Sequence, residues 1–154
     1  MSDFKEKRLI KVVFDTADTD SAGAANTTVA THPTGVFIPD NAIITNAFYE
    51  VNTTFTSAAD TATIAIMAEG ANDLVSAMAI NDGTNVWDFG IHGTLATAPN
   101  MGADAAHDTA VKTIALYAAI MVKIDGQEEI TFTVGTQVLV LGKLTLYVEY
   151  VIGE

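Results

Sequence analysis

The residues that could do chemistry are few and scattered. His32, His92 and His107 lie too far apart for an H-E-x-x-H zinc site, so zinc would need all three to converge in space. The chain has no cysteine, which removes disulfides, thiolate metal sites, iron–sulfur clusters and thiol nucleophiles together. Ser2, Ser21, Ser57 and Ser76 are the only serines, and none sits in a G-x-S-x-G elbow. Gly142-Lys143 lacks the earlier glycine and the following hydroxyl of a phosphate loop, and no G-x-G-x-x-G occurs.

Hard cations need only clustered oxygens, so the acidic turns are the next candidates. Asp18 to Gly23 (DTDSAG) opens like an EF-hand loop, but Ala22 falls at the third ligand position and no Glu stands at the twelfth. Asn81-Asp82-Gly83-Thr84-Asn85 with Asp88 is a second oxygen-rich turn. Two facing carboxylates could hydrolyse a glycoside. Sugar clefts, however, usually display aromatic platforms, and the one tryptophan, Trp87, lies in the apolar run VWDF where core packing is expected. The sequons at Asn26 and Asn52 matter only on a secretory route, and no signal-peptide h-region precedes a cleavage site. The reading is a protein that is not an enzyme and needs no cofactor or metal, made in the cytoplasm and soluble.

The elements that must position these residues are strands. In Ile43–Phe55 one face reads Ile43, Thr45, Ala47, Tyr49, Val51, Thr53, Phe55, and the other is mostly polar. Leu144, Leu146, Val148, Tyr150 and Ile152 repeat the pattern. Ile114–Ile124 alternates too, but its second face, Ala115, Tyr117, Ala119 and Met121, carries no charge, so that face is expected at an oligomer interface. Shorter strands are predicted over Leu9–Phe14, Val36–Ile38, Thr63–Ala68, Val86–Ile91, Ile130–Val134 and Gln137–Leu141. Turns are expected at Pro39–Asn41, Ser57–Asp60, Asn81–Gly83, Asp125-Gly126 and Gly142-Lys143. The spacing predicts one short helix over 72–80 (NDLVSAMAI), where an Asn or Asp cap precedes i,i+4 apolar pairs. Thr16–Thr34 and Thr94–Thr109 read as long loops. Eight or nine strands make an all-β antiparallel β-sandwich, jelly-roll-like, as a single domain over residues 1–154.

Charge narrows the partners. The net charge of −12 excludes a duplex-DNA protein and opposes docking on anionic membranes. Four of the seven basic residues, Lys5, Lys7, Arg8 and Lys11, lie in the first eleven positions, and none occurs from Val12 to Val111. Residues 1–11 therefore form a basic N-terminal segment on an acidic body. Phe4, Leu9 and Ile10 lie among those charges, and the segment is expected to act as an arm against a larger partner or a neighbouring subunit, or as a first strand with a basic edge. Charged residues make up 17% of the chain, against about 25% in ordinary domains. Thr and Ala stand in their place, a depletion that marks interface cores.

The run IPDNAIITNA at Ile38–Ala47, continuing through YEVNTTFTSAADTATIAI and ANDLVSAMAINDGTNVWDFG, resembles small virion structural proteins of tailed bacteriophages. The closing LYVEYVIGE after Gly142-Lys143 is similar to the end of the same proteins. The resemblance carries no catalytic residue. It implies a capsid decoration (cement) protein, or the base of a head fibre: a homotrimer on the outer surface of the virion, with the major capsid protein and its own copies as partners. Two other readings stay open, a tail, neck or head-fibre structural protein and a carbohydrate-binding module using the two long loops.

Overall fold

Alternating side chains build the two longest elements of the computed structural model, which describes residues 6–68, 74–93 and 124–153. Strands β3 (Ala42–Ser57) and β8 (Leu139–Ile152) pair antiparallel along most of their length. With β1 (Arg8–Asp15) and β6 (Gly90–Gly93) they form one sheet in the order β1-β8-β3-β6. The second sheet has the order β2-β7-β4-β5, from β2 (Ala30–Ile38), β4 (Thr63–Met67), β5 (Val75–Ala79) and β7 (Glu128–Gly135). Every pairing between these strands is antiparallel.

The sheets pack as a β-sandwich because each buries its apolar face against the other. Val12 and Phe14 of β1, Tyr49 and Val51 of β3, and Leu144, Leu146 and Val148 of β8 meet Ile64 and Ile66 of β4 and Ile130, Phe132 and Val134 of β7. The Phe14 ring lies 4.8 Å from that of Phe132 across the interface and 6.2 Å from Phe55. Trp87 closes one end: its indole N–H donates to Met78 O at 3.1 Å and its ring lies 5.4 Å from Tyr49. The expectation that Trp87 belongs to the core holds, since it is 1% exposed. Each fully buried large side chain contributes about 1.5–3 kcal/mol of transfer free energy.

Turn chemistry places the corners as expected. Asn41 (φ 59°), Asp60 (φ 53°) and Gly126 (φ 85°) adopt the left-handed conformation in the turns predicted for them. Four local expectations need correction. Val75–Ala79, inside the predicted helix over 72–80, is strand β5, with Thr63 opposite Ala79 and Ile66 opposite Val75. A nine-residue amphipathic stretch is too short to hold a helix alone, whereas β4 offers it a ladder of hydrogen bonds. No helix occurs among the described residues. Gly142-Lys143 is not a turn: β8 runs through it, with Gly142 at φ 152° packed flat against the Phe55 ring. Val86–Ile91 is not one strand. Val86 and Trp87 are buried in a turn, and pairing begins only at Gly90. The loop expected through Thr34 ends earlier, at Ala30, where β2 begins.

A bulge explains one reversal of faces. Ile44 pairs with Tyr150 and Asn46 with Glu149, so two residues of β3 oppose one of β8. Ala42 and Ile44 therefore point inward before the bulge, and Ala47, Tyr49 and Val51 after it; Ile43 is not an inner residue. Of the predicted strand Ile114–Ile124, only Ile124 is among the described residues. It is buried, its N–H donates to Ala42 O, and its carbonyl accepts the Asn41 N–H.

Candidate interaction surfaces

β1 forms one margin of the first sheet and carries two of the basic residues singled out in the sequence, Arg8 and Lys11. Its alternation places Val12 and Phe14 in the core and Ile10 against it, leaving Leu9, Lys11 and Val13 on the outer face. Its register with β8 is unbroken, from Arg8 opposite Tyr150 to Asp15 opposite Lys143. Lys7, just before β1, lies 3.1 Å from Glu149 Oε1. The Thr45 hydroxyl also donates to that carboxylate, and the two contacts hold Glu149 below the usual carboxylate range. At the other end of β1, the Ala17 N–H and Lys143, at 2.9 Å, do the same for Asp15. Arg8 and Lys11 have no ion-pair partner among the described residues. Phe4 and Lys5, and the expected interface residues Ala115, Tyr117, Ala119 and Met121, lie outside the described residues.

The outer face of this sheet mixes apolar and charged side chains. One cross-strand row runs Lys11, Tyr147, Phe48, Gly93, and the next runs Val13, Thr145, Glu50, Ile91. Phe48 and Tyr147 stack with ring centroids 4.9 Å apart at 18°. Around them Leu9 is 62% exposed, and Phe89 and Ile91, at the β6 margin, are each 75% exposed. A second apolar group, Val138, Val140 and Leu141, surrounds the start of β8, where the Leu139 N–H donates to Thr27 O. Sequence reading missed Phe89 and Ile91 as surface residues, placing both in the short strand Val86–Ile91 with Trp87. The signal that could have separated them is the Asp88–Gly90 punctuation inside that run.

The segment between β1 and β2 is tied down by polar contacts. His32 is 1% exposed; its Nδ1 lies 2.9 Å from Asp20 Oδ2 and its Nε2–H donates to Thr28 O at 2.9 Å. The other Asp20 oxygen accepts the N–H groups of Ala22 and Ala24. These bonds, the one from His32 foremost, hold the Asp20 carboxyl below its ordinary range. The carboxylate read as a calcium-loop ligand thus fastens its own loop. Beside it is a cavity of about 60 Å³ lined by Phe14, Asp20, Asn26, His32 and Thr34 among others. Asn26 Nδ2 donates to Asp15 O, and its buried Oδ1 finds no partner among the described residues. In the second acidic turn Asp82 accepts from the Thr84 hydroxyl and N–H, which lower its pKa. His92 Nε2–H donates to Asp88 O, and its ring stacks on Tyr49. His107 lies outside the described residues. Among those residues no group of three or more His, Asp or Glu is placed to hold a metal ion.

No family model matches the chain, and no curated protein sequence matches it. Two solved structures share its fold. A chain of the acidic stable capsid structure of Helicobacter pylori bacteriophage KHP30 aligns with a TM-score of 0.57 at 11% identity, over 96% of this chain and 89% of that one. A chain of the capsid of Ralstonia phage GP4 aligns with a TM-score of 0.54 at 16% identity, over 100% of this chain and 90% of the other.

Proposed function

We propose that the chain is a non-enzymatic structural protein of a phage particle, bound to the outer surface of the capsid as a homotrimer and decorating or stabilising the shell. The observation that carries this reading is the whole-length likeness of fold to chains of two phage capsid structures. The strand order adds to it. β1-β8-β3-β6 against β2-β7-β4-β5 is the order expected when a hairpin of paired strands wraps into an eight-stranded jelly roll, an architecture used in viral capsids and in lectins. Fold alone does not choose between those uses. The surface favours assembly: an outer face on which Phe48, Tyr147, Phe89 and Ile91 stand among scattered charges suits broad protein contact better than a sugar cleft.

The mechanism in this reading is contact area. A standard interface buries about 1,600 Å² in total, and three linked copies turn modest single contacts into avid attachment. The test is reconstitution. The purified chain should have the mass of a trimer in solution and should bind heads lacking it to saturation. A monomer that leaves those heads bare would refute the proposal.

A further inference from the structure

Among the described residues four strands stand at the margins of the two sheets, and three of them are blunted. β2 carries Pro33, which has no N–H to offer, and its register shifts between Pro33 and Phe37; the Pro33 carbonyl is already taken by the Ser21 N–H. β5 has five residues and β6 only four. β1 differs on each count. It has eight residues, no proline, no bulge, and no hydrogen bond from the backbone of Arg8–Phe14 to any described element except β8. In an antiparallel strand alternate residues direct their N–H and C=O groups away from the first partner. β1 is therefore a ready template for one more strand.

Its side chains limit which strand can use it. Arg8 and Lys11 have no ion-pair partner among the described residues, and Leu9 and Val13 stand exposed beside them. Pairing β1 with β1 of a second copy would bring these cations together, and like charges facing across strands are destabilising. A second copy offers no acidic margin of comparable length among the described residues, because β2 has neither Asp nor Glu. We infer that β1 is a docking edge for an extended acidic segment of a different protein, which adds as a strand beside Arg8–Phe14, its carboxylates meeting Arg8 and Lys11. The inference rests on the proposed function in one respect, that this partner is another protein of the particle. Backbone pairing would supply the affinity, and the charges the choice of partner.

The test uses the isolated full chain, so it can fail while particle attachment holds, and the reverse. The probe is a capped seven-residue peptide of Val and Thr with Glu at two positions three apart, which puts one carboxylate on each face as Arg8 and Lys11 require, with a Lys-for-Glu twin as control. Amide resonances are followed by NMR during titration. The acidic peptide should shift and protect the amides of residues 8–14, bind at least about tenfold tighter than its twin, and weaken with added salt. The double variant R8E/K11E, at two exposed positions, should reverse the preference while its thermal unfolding matches that of the parent. Equal binding of the two peptides, shifts centred elsewhere, or no shifts with the acidic peptide would overturn the inference. So would β1 amides whose protection rises with protein concentration alone, since a second copy would then hold the edge.

Discussion

Replacing Gly142 with alanine should be among the most damaging single-methyl additions in this protein. Gly142 lies within β8 at φ 152°, and an added Cβ would clash with the Cδ1 edge of the Phe55 ring. Phe55 has little room to retreat: it is 3% exposed, with the Phe14 and Trp87 rings each 6.2 Å away. Two penalties add. Holding a non-glycine residue in that backbone region costs about 1–3 kcal/mol, and forcing a methyl into a filled core costs about 1–3 kcal/mol more. Gly142→Ala should therefore lower stability by about 2–6 kcal/mol, against a net of about 5–15 kcal/mol for a typical domain. Urea unfolding at one fixed protein concentration measures it, with the slope unchanged. A cycle with Phe55→Leu separates the causes, because the smaller side chain makes room for the methyl. In that background the same substitution should retain only the backbone part, leaving a coupling of about 1–3 kcal/mol. A cost below about 0.5 kcal/mol, or an equal cost in both backgrounds, would refute the packing argument.

Acid should loosen the β1–β2 segment first. The folded pKa values of Asp15, Asp20 and Glu149 lie below their unfolded ones, so these groups contribute stability above an unfolded value near 4 that is lost as pH falls through the folded values. Hydrogen-exchange protection of the Ala22 and Ala24 amides, taken relative to the intrinsic rate at each pH, should fall in that range, and Asp20→Asn should lower it already at neutral pH; protection independent of pH below 5 would contradict this. Lys143 has the opposite sign: its pKa is raised by Asp15, so its share is lost only as pH climbs beyond 10.5. Tyr49→Phe should cost about 1 kcal/mol in the same urea assay, because the buried hydroxyl donates to Val86 O at 3.0 Å. Burial also pushes the Tyr49 phenol up, so spectroscopic titration should find it resisting ionisation. The surface pair Phe89→Ser and Ile91→Thr should leave stability within about 0.5 kcal/mol yet reduce occupancy on heads, as counted by gel densitometry.

Long alternating strands were legible because only an extended chain, wetted on one face, sustains a two-residue period over many positions. β3, β7, the later part of β8 and the Asn41, Asp60 and Gly126 corners all follow from local chemistry. The misreadings share a cause, namely that a distant partner decided the outcome. β4 turned Val75–Ala79 into a strand, and Phe55 required the glycine that local reading took for a turn. One extra residue at the Ile44–Asn46 bulge reversed which isoleucine is buried. The His32–Asp20 contact joins a strand to a loop that composition marked only as polar, and no spacing rule connects them. For the candidate surface, the basic cluster at Lys7–Lys11 was visible in sequence, but its place on an open strand margin depends on the sheet order.

Whether this chain sits on the outside of a phage shell can be decided by an electron-microscopic reconstruction of the particle at side-chain detail. Density for the two-sheet sandwich should stand as threefold clusters on the capsid exterior, with the Arg8–Phe14 edge against a neighbouring protein. Density for the chain confined to the tail, or a complete shell with none at all, would contradict the proposed placement.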